Sequence, residues 1–513
     1  MALASTHTAT VEGVAAHMVT VEANVGPGLP GMHIVGLGDA AVKESRDRIR
    51  TALPNTAMPW PRTKIMVSLS PAHLPKAGSH FDLPIALTVV GSLDPRAQAR
   101  LKRTMFMGEL ALDGTLRRVE GILPMLLRSH APGGADAPDT VVVPRANAAE
   151  AALLGRGDIL VADTLPEVWR WVVGDGGLEP APAARAFTPV DAPPDFSDIA
   201  GQLLERDAME IAAAGGHHVM MVGPPGSGKS MLAERLPGIL PEMSVPEQIE
   251  TTALHSAAGI SRGHIVAHRP FIAPHPSLTR VELIGGGSGV PQPGAVSQAH
   301  NGVLFLDEAS EIPAGVLDSL RIPLETGRVV LRRSRREVVY PAHFQLVLAA
   351  NPCPCGSSGE NCSCQPAQRA RHLANISGPM RDRMDIFIPT TAQSAVVSPR
   401  GSESSAEIAQ RVAAARDRAQ HRWARAGVEA AVNARVSSTV LRRDFPPDEE
   451  TVITLQGLLA DGKLTQRGVD KVLKLAWTVA DLAGEDQPRI DHLDRALALR
   501  ASHMVVAGAG VAA

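Results

Sequence analysis

The segment GPPGSGKS at residues 223–230 constrains the fold more than any other part of this chain. It follows the apolar run HHVMMV and precedes MLAERL, which places it between a predicted strand and a predicted helix. Glycines let such a loop curl until backbone N–H groups and the helix N-terminus surround the phosphates of a nucleotide. The residues predicted to line this phosphate-binding loop are Gly223, Pro224, Pro225, Gly226, Ser227, Gly228, Lys229 and Ser230.

A second apolar run, VLFL at residues 303–306, ends in two acidic residues, Asp307 and Glu308. Because ligands bind at the edge where parallel strands end, these carboxylates are expected beside the phosphate-binding loop. We predict that Ser230 and Asp307 hold Mg²⁺ and that Glu308 polarises the attacking water. The combination predicts ATP hydrolysis. A scaffold that only binds nucleotide would leave Glu308 without a role.

A third apolar run, FQLVLAA at residues 344–350, ends at Asn351. An amide at the tip of this strand is suited to orient the water that attacks the nucleotide. The three apolar runs alternate with helical segments, which is typical of a parallel sheet covered by helices on both faces. The predicted fold class is therefore α/β.

Two stretches that lack periodicity divide the chain. Residues 174–195 carry five prolines and three glycines, which is typical of a linker, and residues 391–405 form a weaker break. The first part, 1–173, mixes strand-like and helical segments and predicts an α+β domain. The P-loop part is 196–390, and helical patterns dominate 406–513.

The charge and apolar patterns limit the partners of the chain. Its 50 basic and 53 acidic side chains give a net charge of −3, so a surface for nucleic acid has to be local. Aromatic residues make up 3%, which argues against a broad base-stacking surface. The N-terminus does not resemble a secretory signal, and no apolar stretch approaches 18 residues. We predict a cytoplasmic location without membrane attachment.

Several longer stretches resemble one family. Residues 269–308, 320–356 and 376–385, together with 28–53 and 74–87, are similar to the magnesium-chelatase-like AAA+ ATPases, and specifically to the YifB/ComM family. The resemblance spans nearly the whole chain. It implies an AAA+ P-loop domain with a parallel sheet and a C-terminal helical lid, preceded by an α+β domain with the fold of Lon peptidase domains.

The same resemblance implies roles for single residues. Asn351 matches the asparagine called sensor 1, and Arg467 in LTQRGVDKVLKLA resembles the sensor 2 arginine of the helical lid. Arg383 resembles the arginine finger that such proteins present to the γ-phosphate in the neighbouring subunit. Arg381, two residues away, leaves that assignment open. The family forms rings, so a homo-oligomer, with a hexamer as the expected form, is implied.

The kinship with Lon raises proteolysis by a serine–lysine dyad as a rival activity. The alignment of PKAGSHFDLP and GELALDGTLRRVEGILPMLL with the Lon pattern places His80 at the serine position and Met125 near the lysine position. Ser79 is one position away from the nucleophile, and no base is evident near it. The N-terminal domain is therefore predicted not to be a peptidase.

ComM proteins are ATP-driven motors for DNA branch migration in natural transformation, so the resemblance implies a helicase that acts on branched or single-stranded DNA. The segment GRVVLRRSRREVVYP matches the hairpin that projects into the pore of helicase-like relatives. The predicted DNA contacts are Arg328, Arg332, Arg333, Arg335 and Arg336. These arginines are equally suited to solvated or inter-subunit ion pairs. A chelatase-type or remodelling motor that acts on a protein is the alternative function.

All four cysteines of the chain lie in NPCPCGSSGENCSC at residues 351–364. The predicted zinc ligands, in a C-x-C-x6-C-x-C arrangement, are Cys353, Cys355, Cys362 and Cys364. A redox pair or a loop without metal is the alternative, while structural disulfides are not expected in a reducing compartment. Because the cluster begins two residues after Asn351, we hypothesise that zinc clamps the hydrolysis site.

Overall fold

A computed structural model describes residues 2–129, 138–182, 193–260, 265–287, 291–333, 336–356, 362–391, 403–428 and 430–508. These residues form an N-terminal domain, a central domain around the P-loop and a C-terminal helical domain. No helix among them is long and apolar enough to cross a membrane.

The N-terminal domain is built on a mixed sheet of eight strands among the described residues, in the order β10-β9-β8-β5-β1-β2-β4-β3. Its strands are β1 (Ala2–Glu12), β2 (Ala15–Gly26), β3 (Gly31–Val35), β4 (Lys64–Ser70), β5 (Thr104–Phe106), β6 (Glu109–Leu110), β7 (Leu116–Arg117), β8 (Thr140–Pro144), β9 (Ile159–Ala162) and β10 (Glu179–Pro180). Strands β6 and β7 pair separately. The combination of antiparallel and parallel pairs agrees with an α+β domain, while the relation to Lon peptidase domains stays a prediction.

Helices cover this sheet and supply much of its core. They are α1 (Ala40–Asn55), α2 (Asp82–Gly91), α3 (Gln98–Lys102), α4 (Ile122–Ser129), α5 (Ala148–Ala152) and α6 (Leu165–Val173). Helix α1 begins after Asp39, whose carboxylate accepts the backbone N–H of Val42 at 2.9 Å and so caps the helix. Every residue of α2 is buried, which explains why its sequence DLPIALTVVG lacks a polar face.

The composition predicts a linker over residues 174–195, but a strand lies within the first part of this range. Residues Glu179 and Pro180 form β10 and pair antiparallel with Val161 and Leu160 of β9. A strand of two residues has no measurable periodicity, so the sequence pattern could not distinguish it from a linker.

The central domain contains a five-stranded sheet in which each described pair is parallel, in the order β12-β15-β18-β11-β19. Its strands are β11 (Val219–Val222), β12 (Phe271–Ile272), β15 (Val303–Leu306), β18 (Gln345–Ala350) and β19 (Ile386–Pro389). The predicted parallel sheet is confirmed. Strands β11, β15 and β18 are buried along their whole length, as expected for strands covered on both faces.

The remaining elements of the central domain surround this sheet. Two short pairs are β13 (Gly285–Gly286) with β14 (Gln292–Pro293), and β16 (Arg328–Arg333) with β17 (Arg336–Pro341). The helices are α7 (Leu203–Gly215), α8 (Lys229–Ile239), α9 (Val245–Ala257), α10 (Arg280–Ile284), α11 (Ala295–Gln298), α12 (Ala314–Asp318), α13 (Arg321–Thr326), α14 (Pro366–Ala374) and α15 (Gly378–Arg381).

The helical domain comprises α16 (Ser405–Arg425), α17 (Ser438–Asp444), α18 (Glu449–Ala460), α19 (Gln466–Ala483) and α20 (Ile490–Gly508). The buried face of α16 presents Ile408, Val412, Ala415, Ala419 and Trp423. Ile408, Val412 and Ala415 belong to the same apolar cluster as β11 and β15. The helical domain and the central sheet therefore share one core.

The N-terminal domain contacts the central domain at two places. The backbone N–H of Gly121 donates to Ser256 Oγ at 2.9 Å, between the start of α4 and the end of α9. The turn between β1 and β2 approaches the β16–β17 hairpin so closely that a Cβ built on Gly13 would lie 2.7 Å from Val338 Cγ1. Gly13 also has a φ of +69°, which favours glycine.

Candidate functional site

The loop at residues 223–230 joins β11 to α8 at the carboxyl edge of the central sheet. Gly226 and Gly228 adopt φ values of +76° and +82°, a left-handed conformation that glycine reaches without steric cost. Helix α8 begins at Lys229, so its first backbone N–H groups face the concave side of the loop. The loop therefore has the backbone conformation that the predicted phosphate cradle requires.

Lys229 brings the loop and the neighbouring strand together. Its ammonium donates to the carbonyl oxygens of Gly223 and Pro224 at 2.7 and 2.9 Å, and to Asn351 Oδ1 at 3.2 Å. Burial lowers the pKa of Lys229, while the nearby Asp307 and Glu308 act in the opposite direction. Lys229 and Asn351 are 122 residues apart in sequence, and strand pairing between β11 and β18 places them side by side.

The residues predicted to hold Mg²⁺ also meet. Ser230 Oγ donates to Asp307 Oδ2 at 3.0 Å, and Asp307 Oδ1 accepts the backbone N–H of Glu308 at 2.8 Å. A hydroxyl and a carboxylate at this separation are hard oxygen ligands of the kind that Mg²⁺ binds in phosphoryl-transfer sites. The donor set therefore fits the metal.

Glu308 has an unusual backbone conformation. Its φ is +46°, in the left-handed region that a residue with a Cβ rarely adopts. Such a conformation costs on the order of 1–3 kcal/mol and is found most often where a functional site requires it. The side chain is exposed at the carboxyl edge of the sheet. The carboxylate therefore faces solvent and is close enough to act electrostatically on Lys229.

Two residues at this site were not found from the sequence. Gln202 stands before α7 with a φ of +51°, and its amide donates to Ser227 O at 2.8 Å. Its Oε1 is buried and has no hydrogen-bond partner among the residues described. Thr390, which follows β19, lies with its Oγ1 2.7 Å from Ser227 Oγ. Neither residue belongs to a recognised motif. The pair Gly201–Gln202 directly before α7 is the sequence signal that could have indicated a left-handed turn at Gln202.

The predicted arginine finger lies at the opposite edge of the sheet. Arg383 precedes β19, donates to Pro379 O at 2.9 Å and forms an ion pair with Glu325. Strands β19 and β11 are parallel and in register over four residues, so roughly 13 Å of strand separate Arg383 from the P-loop edge. Arg381 lies in the same segment, and its Nε is buried without a hydrogen-bond partner in the described part of the chain.

Arg467, the predicted sensor 2 residue, lies beside this segment and not beside the P-loop. It is at the start of α19, its Nη1 is 3.2 Å from Asp382 Oδ2, and 79% of its side chain is exposed. Arg383 and Arg467 therefore share one face of the molecule. From this face neither side chain reaches the phosphate loop of its own chain.

A buried ion pair fixes the helix of Arg467 to the strand that follows Arg383. Lys471 Nζ donates to Asp385 Oδ1 at 2.7 Å, and the backbone N–H of His218 donates to Asp385 Oδ2 at 3.0 Å. Burial would raise the pKa of Asp385, but Lys471 and the neighbouring imidazoles hold it well below its usual value. No sequence pattern indicates this link, because its members come from three separate elements.

The four cysteines form one cluster. Their sulfur atoms all lie within 4.8 Å of one another, and Cys353 Sγ is 3.1 Å from Cys355 Sγ and 3.4 Å from Cys362 Sγ. Four sulfurs around a tetrahedral Zn²⁺ lie about 3.8 Å apart for a Zn–S distance of about 2.3 Å. Burial and the neighbouring thiols raise the pKa of Cys353 to about 12, so formation of its thiolate without a metal is unfavourable. Coordination to zinc stabilises the thiolate and offsets this cost. The donor set fits zinc.

The cysteine cluster also touches the phosphate loop. A Cβ built on Gly356, which has a φ of +76°, would lie 2.8 Å from Pro225 Cγ. Gly356 follows Cys355 directly, so the cluster contacts the loop at Pro225 and the strand end at Asn351. The clamp hypothesis, which in the sequence depends on Asn351, thus extends to the phosphate loop.

The β16–β17 hairpin carries arginines that are predicted to contact DNA, and its strand register shows on which face two of them lie. In its register Val330 faces Val339 and Arg332 faces Glu337, on the face that solvent reaches. Arg332 Nε lies 2.6 Å from Glu337 Oε2, so this arginine is paired, and 79% of its side chain is exposed. Arg328 begins the hairpin on the same face. Of the other predicted contacts, Arg333 and Arg336 are described only in their backbone, and Arg335 lies outside the described residues.

The residues considered for peptidase activity do not form a dyad among the described residues. His80 is buried, its Nε2 lies 2.8 Å from a main-chain carbonyl, and burial lowers its pKa to about 4. Ser79 Oγ donates to the carboxylate of Glu109, and Met125 is buried in an apolar cluster. Lys76, a buried amine close by in sequence, donates to a main-chain carbonyl.

Comparison with protein families matches three consecutive parts of the chain. The model described as "Subunit ChlI of Mg-chelatase" matches residues 21–147, and "Magnesium chelatase, subunit ChlI" matches residues 195–397. The model described as "Magnesium chelatase, subunit ChlI C-terminal" matches residues 402–500.

Similar proteins cover nearly the whole chain. Rv2897c of Mycobacterium tuberculosis is 44% identical over 504 residues, which are 98% of this chain and 99% of that protein. YifB of Escherichia coli is 38% identical over 509 residues, 98% of this chain and 97% of its own length. The competence protein ComM of Haemophilus influenzae is 38% identical over 514 residues, 98% of each chain.

Proposed function

The chain belongs to the YifB/ComM family of magnesium-chelatase-like AAA+ proteins, and we propose that it is a ring-forming motor that couples ATP hydrolysis to movement along DNA. The family implies ATPase activity. The name of ComM as a competence protein supports a role in transformation. Branch migration is the process that the resemblance to ComM implies. The observation that carries the proposal is the contact of Lys229 with Asn351 beside the Ser230–Asp307 pair.

The chain's own residues would bind the nucleotide as follows. The N–H groups of the loop and of the first turn of α8 donate to the β- and γ-phosphates. Lys229 exchanges its present carbonyl partners for a γ-phosphate oxygen, because a charged acceptor is the stronger one. Ser230 and Asp307 would hold Mg²⁺, which neutralises charge on the β- and γ-phosphates when bound.

Hydrolysis needs a group that orients and polarises water. Glu308 follows the Mg²⁺-binding Asp307 and faces away from the core, which supports its role as the base. Asn351 is released by Lys229 when that ammonium turns to the phosphate, and its amide is then available to the same water. This arrangement explains how binding and hydrolysis are linked through one hydrogen bond.

The proposal requires a second subunit. Arg383 and Arg467 lie on one face, at the edge of the sheet opposite to the P-loop. A head-to-tail ring places this face of one protomer against the P-loop edge of the next. Both arginines would then stabilise charge on the nucleotide of the neighbour, as arginine fingers do. A hexamer is the form that the family resemblance favours.

DNA would pass through the centre of this ring. The β16–β17 hairpin supports the proposal because its exposed face carries Arg328 and Arg332 together with the apolar pair Val330 and Val339. Six hairpins around one pore would create a local positive field in a chain of net charge −3. The ion pair of Arg332 with Glu337 reduces that field, so Glu337 is part of the proposed surface.

A motor that acts on a protein partner is the second candidate. The family models take their names from a subunit of magnesium chelatase, which favours this alternative over other enzyme classes. The two candidates share the ATPase site and differ in the polymer that stimulates it.

The test is branch migration of a synthetic four-way junction with ATP and Mg²⁺. We expect the wild-type chain to convert the junction to duplex products and Lys229→Ala to lack this activity. Arg332→Glu should retain basal ATP turnover but lose stimulation by the junction. Wild-type protein that hydrolyses ATP without any response to branched or single-stranded DNA would favour the protein-directed motor.

A further inference from the structure

A cavity of about 660 Å³ lies between the amino edge of the central sheet and the helical domain. Arg269 and Gln345 line it from the central domain, and Arg416, Arg435 and Lys474 line it from the helical domain. It is separate from the phosphate-binding loop of its own chain, because that loop stands at the opposite ends of the same strands. Arg383 and Arg467 also line it, each paired with a carboxylate.

Three cations of the helical domain have no carboxylate partner among the described residues. Arg416 donates through Nε and Nη2 to Ala213 O, at 3.0 and 2.6 Å. Lys474 donates to Ala434 O at 2.8 Å. The guanidinium of Arg435 has neither a hydrogen bond nor an ion pair in the part of the chain that the structure describes.

Each acidic residue of the cavity forms its ion pair with a cation other than these three. Those pairs are Glu247 with Arg269, Asp385 with Lys471, Asp382 with Arg467, Glu325 with Arg383, and Asp470 with Arg442. The two imidazoles add no charge at neutral pH, because burial lowers the pKa of His218 and of His343 to about 4. The cavity therefore has an excess of positive charge.

The unpaired cations are close enough to disturb one another. Burial lowers the pKa of Arg435, and the charge of Arg269 lowers it further, while Glu247 acts in the opposite direction. Burial likewise lowers the pKa of Arg416, and Arg269 and Arg435 add to that effect more than Glu247 opposes it. An anion among them would relieve this repulsion, since opposite charges at a few ångströms favour the charged form of each group.

We propose that this cavity binds a phosphate-bearing anion held by Arg435, Arg416 and Arg269. Guanidinium groups match the oxygens of phosphate through pairs of parallel N–H···O hydrogen bonds, and several around one anion are typical of phosphate recognition. Arg269 belongs to the central domain and the other two to the helical domain. The bound anion therefore stabilises one domain against the other.

Inorganic pyrophosphate and the phosphate chain of a nucleotide share this chemistry, and an experiment can separate them. Isothermal titration calorimetry of the full chain carrying Lys229→Ala measures binding with the ammonium of the P-loop removed. One arm uses pyrophosphate and the other uses ADP, both without Mg²⁺. We expect one pyrophosphate per chain in the first arm. Tighter binding in the second arm that Arg435→Gln also weakens would identify a nucleotide as the source of the phosphates.

Two further substitutions in the Lys229→Ala background assign the site. Arg435→Gln should weaken pyrophosphate binding by about tenfold or more, since it removes a charge-assisted contact. Arg425→Gln, which changes an exposed arginine at the end of α16, serves as the matched control and should bind as Lys229→Ala does. Lys474→Gln provides a second cavity variant if Arg435→Gln unfolds by circular dichroism.

The proposal is overturned if Lys229→Ala binds no pyrophosphate, or if the cavity variants bind it as tightly as the Arg425→Gln control. Neither outcome bears on DNA translocation, because the titrated chain cannot hydrolyse ATP. A failure of branch migration, in turn, leaves the result of this titration unchanged.

Discussion

Lys229 Nζ lies 3.2 Å from Asn351 Oδ1, so the P-loop ammonium and the amide at the tip of the neighbouring strand are joined by a hydrogen bond. The same ammonium is held by two loop carbonyls. Under the proposed function, a γ-phosphate would compete for this ammonium and thereby free the amide. Occupancy of the loop would in this way be communicated to a second strand through one hydrogen bond.

Replacement of the amide tests this link. Asn351→Ala should bind ATP about as tightly as the wild-type chain, because Lys229 keeps its loop carbonyls. Its turnover number should fall by about 10²-fold, the loss typical of a group that positions a reacting water. Steady-state ATPase kinetics and nucleotide titration measure the two effects. A variant with weaker binding and unchanged turnover would show that Asn351 only supports Lys229.

Glu308→Gln separates binding from hydrolysis. The amide keeps the size of the side chain but cannot accept a proton, so turnover should fall by about 10²- to 10⁴-fold while ATP still binds. Single-turnover hydrolysis and nucleotide titration measure this. Glu311→Gln is the control, since Glu311 lies three residues further on and pairs with His372. ATPase activity near the wild-type level in Glu308→Gln would exclude Glu308 as the base.

The core of this site could be predicted from sequence because its members follow apolar strands. Parallel pairing of β11, β15 and β18 brings their ends to one edge, so Lys229, Asp307 and Asn351 meet wherever the sheet forms. Glycine spacing and strand patterns are local properties, and the cysteine cluster follows from spacing within a dozen residues. Local signals were therefore sufficient for these predictions.

Other features depend on how distant elements pack. The place of Arg467 is determined by α19, which is tied to β19 through Lys471 and Asp385, and no local pattern reports that contact. Gln202 reaches Ser227 only because the chain takes a left-handed turn before α7. The cavity near Arg435 arises between two domains, so its positive charge is invisible in a sequence with a net charge of −3.

Zinc should connect the cysteine cluster to nucleotide binding. We expect about one zinc per chain by elemental analysis of the wild type, and a large loss in Cys353→Ser. Because Gly356 contacts Pro225, loss of the metal should also weaken ATP binding several-fold. Ser363→Ala, which changes an exposed residue between two ligands, is the control. Far less than one zinc in wild-type protein would favour a redox pair or an unmetallated loop.

Acid should destabilise the link between the central sheet and the helical domain. Burial lowers the pKa of His218 from 6.5 to about 4, so the folded chain keeps this imidazole neutral while the unfolded chain takes up a proton. The stability that it contributes is complete above pH 6.5 and is lost as the pH falls towards 4. The loss is at most about 3 kcal/mol for this shift.

Thermal unfolding between pH 7 and 4.5 measures the effect. His218→Asn should show a shallower decline than the wild type, because its amide oxygen can still accept the backbone N–H of Leu346 but does not titrate. The buried His80 titrates in the same range in both proteins and accounts for part of the remaining decline. Equal slopes for the two proteins would mean that His218 is protonated in the folded state.

Mixing of two inactive variants tests whether Arg383 and Arg467 act on a neighbouring subunit. Lys229→Ala lacks a working P-loop but keeps both arginines, and Arg383→Ala keeps its P-loop but lacks the finger. Each should hydrolyse ATP at least about 10²-fold more slowly than the wild type. In mixed rings about a quarter of the interfaces combine an intact loop with an intact arginine, because each head-to-tail interface draws on two chains. We therefore expect mixing to restore a comparable share of wild-type activity.

The same experiment with Arg467→Ala in place of Arg383→Ala should restore activity equally, since both arginines lie on the face away from their own P-loop. A mixture of Arg383→Ala with Arg467→Ala tests whether the two arginines serve the same side of an interface. Every protomer in that mixture lacks one of the two arginines, so every interface is defective and no activity should return. Rescue there would place one arginine at the P-loop of its own chain and the other across the interface. An absence of rescue with Lys229→Ala would place the arginine contribution within a single chain.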